Sequence, residues 1–214
     1  MVNAFELISH PSGFKKAINT LFINKKFSRL DFIRLACHLN EFPKTLEIAK
    51  ILKKKGYLVA VNLMQISERS EKEILDAGKL AEKVKIDVLY FADSLGSMDH
   101  KYIKNIVKIF KKNWSGDLGI HTHNNLGLAI SNTNTAIKEG VTWADSTVMG
   151  MGRGAGNAQT EYLVLELDKF KINFQNNLSL LRLIKSHFEP LYQKYKWGIN
   201  SYYYLAGKFG IHPT

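Results

Sequence analysis

The sequence has a single cysteine, Cys37, among its 214 residues. One thiol cannot form an internal disulfide, so the chain is not a disulfide-stabilised scaffold, and it fits a reducing compartment. No apolar run is long enough for a transmembrane helix. Residues 1–17 also lack the basic segment and long apolar run of a secretory signal. We therefore expect a cytoplasmic protein with no membrane partner.

Acidic residues and arginine are both in short supply. Thirty Lys and Arg against 19 Asp and Glu give a formal net charge of +11, which would suit a polyanion because basic side chains displace counterions from phosphate. Most of the basic residues are lysines spread in pairs and triplets along the chain, whereas arginine, the better reader of base edges, is scarce. We therefore interpret the charge as a solvated lysine-rich surface. A basic nucleic-acid-binding protein is kept as the third hypothesis.

What the sequence does contain is a regular alternation of strand-like and helical segments. Six nearly continuous apolar runs are typical of parallel strands buried on both faces. They cover residues 2–8, 31–36, 58–65, 87–92, 118–123 and 142–149. The helical segments between them cover residues 12–22, 43–55, 71–85, 99–112 and 126–139. Ser12 and Ser70 are predicted N-caps, Pro43 suits a first turn, and Gly56 and Gly140 suit helix ends. This order predicts an α/β fold with a parallel sheet.

The spacing of the runs narrows the fold further. Strands begin about every thirty residues, as a (β/α) repeat requires, and the count is six, whereas a closed TIM (β/α)8 barrel needs eight. The pattern predicts either an open doubly wound sheet or a barrel without its first two units. Helices are then expected over 158–170 and 178–195, followed by an aromatic stretch. We place this α/β domain, whichever of the two it is, over 1–170 and a C-terminal helical extension over 171–214.

The sharpest local motif is His121-Thr122-His123, in the fifth predicted strand. Residues i and i+2 of a strand point to the same side. Two imidazoles would therefore face one space at the carboxyl end of the strand, where α/β proteins bind ligands, and they could chelate one divalent ion. The alternative interpretation is a pair of core histidines with backbone or carboxylate partners.

A glycine-rich segment over 150–157 follows the last predicted strand. It contains a formal G-x-G-x-x-A match, but the dinucleotide-binding motif belongs after the first strand of a fold, and no GK[ST] phosphate-loop ending is present. A tight turn that approaches a ligand or a neighbouring strand is the other interpretation. Asn157 could cap the next helix or reach a metal. Polar residues also follow the other predicted strands and would converge on one mouth: His38, Asn40, Asn62, Gln65, Asp93, Ser94, Asp145 and Ser146.

Three segments together resemble the DRE-TIM metallolyases: ADSLGSM at 92–98, GIHTHNNLGLAISN at 119–132 and GMGRGAGNAQTE at 150–161. IRLACHLNE at 33–41 and NLMQIS at 62–67 are most similar to the 4-hydroxy-2-oxovalerate aldolase-like branch. The resemblance covers nearly the whole chain. It implies a TIM barrel and an aldolase or lyase that acts on a 4-hydroxy-2-oxo acid. In this family such reactions pass through a metal-bound pyruvate enolate and give pyruvate and an aldehyde.

The resemblance also implies roles for individual residues. His121 and His123 match the family's metal-binding histidines, and Asn157 matches an asparagine that ligates or approaches the metal. Mn2+ or Mg2+ is the expected ion, with Zn2+ or Co2+ as alternatives. Tyr202 or Tyr203 would take the place of an acid that the aldolases supply from beyond the barrel, with aromatic packing as the alternative. The expected substrate-binding residues are His38, Asn62, Asp93 and Asn125.

One departure from the family is clear. The sequence contains no Leu-Arg-Asp-Gly, the first-strand segment that supplies a third metal ligand and a cationic stabiliser of the enolate. Residues 1–8 resemble the family's third strand instead. We therefore expect that the first two units are missing and that the isolated chain has little aldolase activity. The second hypothesis is an inactive or split fragment, in which a second chain would supply the missing strands. An open sheet edge and C-terminal aromatics also favour a homo-oligomer.

Overall fold

The strands lie in chain order across one six-stranded sheet. The computed structural model describes residues 1–168 and 177–211. The strands are Val2–Asn3 (β1), Phe32–Cys37 (β2), Leu58–Leu63 (β3), Val88–Asp93 (β4), Asp117–Thr122 (β5) and Trp143–Ala144 (β6). The registers of β1 to β4 are parallel, with Ala36 opposite Asn62 and Asn62 opposite Tyr90. The parallel α/β sheet predicted from the apolar runs is confirmed.

Helices follow the strands in the expected alternation. Those among the described residues are Ala4–Ile8 (α1), Phe14–Leu21 (α2), Phe42–Lys54 (α3), Glu71–Val84 (α4), His100–Lys111 (α5), Ala129–Lys138 (α6), Thr160–Asp168 (α7), Asn177–Leu183 (α8), Glu189–Tyr195 (α9) and Ser201–Phe209 (α10). A π-helical turn over Ile184–Phe188 joins α8 to α9. Within the described ranges, no helix combines the length and the apolar character needed to cross a membrane.

Several of the predicted helix boundaries are confirmed. Ser70 caps α4 through a reciprocal pair of hydrogen bonds, in which Glu73 N donates to Ser70 Oγ at 3.3 Å and Ser70 N donates to Glu73 Oε2 at 2.8 Å. Pro43 lies in the first turn of α3. Gly56 and Gly140 follow α3 and α6 with φ of +93° and +91°, a left-handed conformation that glycine adopts without a steric penalty.

The chain divides into two compact units. The first comprises residues 1–92, 105–119 and 141–143. Its interior contains fully buried side chains from β3, β4, α3 and α5, among them Phe42, Val61, Phe91 and Phe110. The rings of Phe91 and Phe110 lie 6.1 Å apart. Burial of such side chains is the main stabilising contribution to a core of this kind.

Among the described residues, the second unit comprises 93–104, 120–140, 144–168 and 177–211. It contains the segments that follow β4, β5 and β6, together with the C-terminal helices. Polar side chains are unusually well buried in this unit: Asp93, Thr122, Asn125, Asn132, Thr133 and Asn157. Buried polar groups require partners, so these side chains indicate a binding site in the second unit. The domain boundary expected at residue 170 lies outside the described residues.

Two predicted strands are wrong over most of their length. The run at 2–8 is extended only at Val2–Asn3, because Asn3 Oδ1 accepts a hydrogen bond from Phe5 N at 3.1 Å and thereby caps α1. The run at 142–149 forms a strand only at Trp143–Ala144. Its last residues instead enter a tight 3-10 turn over Val148–Gly150, in which Met149 has a left-handed backbone with φ of +53°.

Two smaller expectations also fail. Ser12 does not cap α2, since Gly13 is the cap residue and makes no side-chain cap bond, while Ser12 Oγ pairs with His10 Nδ1 at 2.9 Å. The aromatic stretch after Trp197 contains a helix, α10, which was not predicted as a separate element within the C-terminal helical extension. Asn200 Oδ1 caps it by accepting from Tyr203 N at 3.0 Å. The C-terminal end of the helix expected over 158–170 lies outside the described residues.

Candidate metal centre

Two histidines lie together at the end of β5. His121 belongs to the strand and His123 follows it, and their ring centroids are 5.1 Å apart with the planes at 85°. Nδ1 of His121 lies 2.8 Å from Oδ2 of Asp145, the residue after β6. This contact orients the ring, and with the proton on Nδ1 it leaves the Nε2 lone pair for a ligand. A histidine held by a carboxylate in this way is typical of metal ligands.

Asp93 ends β4 and is almost completely buried, with 1% of its surface exposed. Its carboxylate accepts hydrogen bonds from the backbone N–H groups of Ser97 at 3.0 Å and Met98 at 3.3 Å. Burial raises the pKa of Asp93 to about 6, although these backbone bonds, and the positive charge that His121 carries when it is protonated, act in the opposite direction. The backbone carbonyl of Asp93 accepts from His123 N at 3.3 Å. The carboxyl group is therefore fixed by the turn after β4, and the backbone of the same residue is bonded to His123.

Asn157 lies at the end of the glycine-rich segment and next to His123. The two residues form an isolated antiparallel bridge. Nδ2 of Asn157 is 3.3 Å from the Met151 carbonyl oxygen and 3.5 Å from Thr147 Oγ1. Its Oδ1 is buried and has no hydrogen-bond partner among the described residues. A buried acceptor without a partner costs about 1–3 kcal/mol, which a cation at this position would offset.

The glycines of this segment allow the backbone to fold back on itself. Gly156 has a φ of +78°, and a Cβ there would overlap the carbonyl oxygen of Gly150. That carbonyl accepts from Asn157 N at 3.1 Å. A Cβ on Gly152 would lie 2.5 Å from Asn157 Nδ2. The glycines are therefore required so that the loop can surround Asn157, as the tight-turn interpretation predicts. Asn157 does not cap α7, which begins at Thr160.

These donors fit a divalent cation. Imidazole nitrogens bind such ions at about 2.0–2.1 Å, so two rings on one ion have centroids about 5 Å apart, close to the observed separation. The amide oxygen of Asn157 is a hard donor of the kind that Mg2+ and Mn2+ accept. Over residues 1–168 and 177–211, no three His, Cys, Asp or Glu side chains are grouped for metal binding. The candidate ligands in the described ranges are therefore two imidazoles and one amide oxygen. Within those ranges, no carboxylate is grouped with them as a charged ligand.

The remaining expected residues are not all brought to this centre. His38 and Asn62 belong to the first unit. His38 N donates to Glu41 Oε2 at 3.0 Å, in the turn after β2. Asn62, in β3, is 4% exposed, and its buried Oδ1 has no hydrogen-bond partner in the part of the chain that the structure describes. Their roles as substrate-binding residues stay predictions.

Asn125 and Tyr202 lie in the second unit, with the histidines. Asn125 is 2% exposed and donates from Nδ2 to the Tyr203 carbonyl oxygen at 3.2 Å, so this amide nitrogen connects the segment after β5 to α10. Tyr202 is 80% exposed. The ring of Tyr203, the alternative to Tyr202, lies beside Gly154 of the glycine-rich segment. In this conformation Tyr203 is closer to the loop that holds Asn157.

Comparison with known families decides the classification. Residues 28–187 match the family model described as HMGL-like. The chain belongs to the HMGL-like family. This membership confirms the family predicted from the three sequence segments, and the parallel strand order agrees with it.

Individual proteins similar to this chain agree with that classification. A 4-hydroxy-2-oxovalerate aldolase of Carboxydothermus hydrogenoformans is 36% identical over 153 residues, which is 71% of this chain and 45% of the relative. The N-terminal domain of a Bacteroides vulgatus protein named as an aldolase superposes with a TM-score of 0.79 at 34% identity, over 85% of this chain and 60% of that one. A Bacillus subtilis HMG-CoA lyase shares the fold, with a TM-score of 0.65 at 18% identity, over 83% of this chain and 68% of that one. The chain spans less than half the length of the curated relatives that it matches.

Two contacts at this candidate centre and its neighbouring loop were not predicted from the sequence. Asp145 was noted as a polar residue after a strand, but its bond to His121 spans 24 residues of sequence. Trp197 was noted only as an aromatic residue, yet its indole Nε1 donates to the Met149 carbonyl oxygen at 2.9 Å across 48 residues. Periodicity carries no signal for either contact, because both depend on how separate segments meet.

Proposed function

We propose that this chain acts in a divalent-metal-dependent aldolase that cleaves a 4-hydroxy-2-oxo acid into pyruvate and an aldehyde. The observation that carries the proposal is the pair of adjacent imidazoles, one of them oriented by Asp145, next to the unpartnered amide oxygen of Asn157. Relatives named 4-hydroxy-2-oxovalerate aldolase supply the substrate class. A 2-oxo acid presents a carboxylate and a ketone oxygen, a pair of hard donors suited to the same cation.

His121, His123 and Asn157 would hold the cation, with Mn2+ or Mg2+ favoured. Bound there, it would act as a Lewis acid on the ketone oxygen of the 2-oxo acid. Asp145 keeps the Nε2 lone pair of His121 directed away from the carboxylate. The buried carboxyl of Asp93 lies close enough to influence His121, and its negative charge would favour a cation among the histidines. Each of these groups is fixed by the fold before the substrate arrives, which reduces the reorganisation that catalysis would require.

The partial reaction of pyruvate alone tests this function. An aldolase of this class must remove a proton from C3 of pyruvate when the reaction runs towards condensation, so it should exchange those protons with solvent in the absence of an aldehyde. The chain is incubated with pyruvate and saturating Mn2+ in D2O, and deuterium uptake is measured by mass spectrometry. We expect slow uptake that depends on both the protein and the metal, because the cation alone favours the enolate while the family's first-strand cationic stabiliser is missing. Saturating metal compensates for the weak affinity expected of a site without a carboxylate ligand.

The controls identify the site responsible. His121→Ala should reduce deuterium uptake to the rate of Mn2+ alone, because it removes one of the two imidazoles. His100→Ala removes an exposed histidine at the start of α5 and should leave the rate unchanged. Uptake that is absent from the wild-type chain, or that persists in His121→Ala, would refute the proposal.

A further inference from the structure

The loop over residues 148–157 is hydrogen-bonded to the segment after α9, which contains none of the proposed metal ligands. Trp197, which follows α9, donates from its indole Nε1 to the carbonyl oxygen of Met149 at 2.9 Å. One residue later, Gly198 N donates to the Gly154 carbonyl oxygen at 3.3 Å. The loop that ends in Asn157 is therefore attached to the C-terminal segment at two places.

Met149 is the residue of this loop that most needs such support. Its φ of +53° places it in the left-handed region, which residues other than glycine adopt only when their surroundings impose it. Both of its backbone polar groups are bound by side chains from other segments. Its N–H donates to Glu161 Oε2 at 3.0 Å, and its carbonyl accepts from Trp197. Loss of either bond would allow Met149 to relax towards an ordinary conformation.

The conformation of Met149 is transmitted to Asn157 through a short path. The next residue, Gly150, also has a left-handed backbone, with φ of +63°, and its carbonyl accepts from Asn157 N at 3.1 Å. The carbonyl of Met151 accepts from Asn157 Nδ2 at 3.3 Å. Both the backbone and the amide nitrogen of Asn157 are therefore fixed by the two residues that follow Met149. The remaining polar atom of the Asn157 side chain, Oδ1, has no hydrogen-bond partner among the described residues.

Trp197 is well placed to act on the loop without being part of a tightly packed core. Its side chain is half-buried and packs edge-to-face on Tyr192, with ring centroids 5.2 Å apart. It lines two cavities of about 410 and 340 Å³. Loss of its N–H group would therefore release the loop more than it would disturb the packing.

We infer that Trp197 is a positioning residue that holds the 148–157 loop so that Asn157 Oδ1 faces the metal centre. The inference rests on the proposed function, since Asn157 matters in this way only if it is a ligand. It assigns to the C-terminal segment a part in metal affinity, although that segment contributes no donor atom to the proposed centre.

The test is Trp197→Phe, which keeps an aromatic ring for Tyr192 and removes the N–H donor. Hydrogen exchange measured by mass spectrometry on the metal-free chain should become about three- to tenfold faster in peptides covering 149–157, the range expected for one lost hydrogen bond. The Mn2+ dissociation constant should rise by a similar factor. Trp143→Phe is the matched control, because it also removes an indole hydrogen bond, to Asp117 Oδ2 at 3.2 Å in the first unit. It should change neither quantity.

The outcomes separate the inference from the proposed function. Mn2+ affinity that is lost in His121→Ala but unchanged in Trp197→Phe would refute the inference alone. Faster exchange spread evenly over the whole chain would also refute it, because that result indicates a general structural role. Mn2+ affinity that His121→Ala leaves unchanged would refute the metal centre itself.

Discussion

The contact between His121 and Asp145 gives the sharpest quantitative prediction. The two side chains are 22% and 23% exposed and their atoms Nδ1 and Oδ2 lie 2.8 Å apart. Asp145→Asn keeps an acceptor oxygen for the imidazole N–H but removes the negative charge. A hydrogen bond to a charged group is worth about 1.5–3 kcal/mol and a neutral one about 0.5–1.5 kcal/mol. The substitution should therefore weaken the hydrogen bond that orients His121 by about 1 kcal/mol. If this free energy is lost from metal binding, the affinity for Mn2+ falls roughly fivefold.

Asp145→Ala removes the acceptor as well as the charge. The ring of His121 would then be free to rotate, and the loss of affinity should approach the upper end of the 10–100-fold range seen for such supporting carboxylates. Mn2+ binding is measured by electron paramagnetic resonance, which reports the free ion. Asp117→Asn serves as the control, because Asp117 also accepts from a ring N–H group, that of Trp143. Equal affinity in the wild-type chain and Asp145→Ala would refute the reasoning.

Three further predictions concern stability and reactivity. The folded pKa of Asp93, about 6, lies above its usual 3.8, so the stabilisation from its bound proton is complete below about pH 4 and is lost as pH rises through 6. In urea unfolding of the metal-free chain, the wild type should lose about 2 kcal/mol relative to Asp93→Asn between pH 4 and 7, and parallel pH profiles would contradict this. Burial raises the pKa of Cys37 to about 12, so a thiol reagent at pH 8 should label it only as fast as the chain unfolds; immediate labelling would show the thiol to be accessible. Gly207→Val should lower the thermal midpoint by the equivalent of about 1–3 kcal/mol, because a Cβ there lies 2.7 Å from Asn125 Cβ, and an unchanged midpoint would mean that α10 moves without cost.

The central strands were predictable because each is a continuous apolar run. β2 to β5 have mostly buried residues, and such runs have one stable placement in a parallel sheet. The two outer strands were not predictable in the same way. At the first, the cap formed by Asn3 outweighs the apolar pattern, and at the last, a 3-10 turn with the left-handed Met149 takes the place of the end of the predicted strand. Both effects are single-residue events that periodicity averages out.

In the candidate site, too, some contacts follow from the local sequence pattern and others do not. His121 and His123 were predicted to lie together because the period of a strand places residues i and i+2 on one side. Asp145 and Trp197 were not assigned their partners, since each reaches its contact from a different segment of the chain. α10 was missed because its aromatic residues are common in strands and loops as well as in helices. Contacts of this kind follow from the fold and not from the local pattern.

The affinity of the chain for Mn2+ tests the central claim most directly. Electron paramagnetic resonance titrations would compare the wild-type chain with His121→Ala, His123→Ala and the exposed-histidine control His100→Ala. The two-imidazole centre predicts saturable binding that each of the first two variants weakens at least tenfold and that the control leaves unchanged. Binding of equal strength in all four chains, or no binding in the wild type, would contradict the claim that His121 and His123 hold a metal.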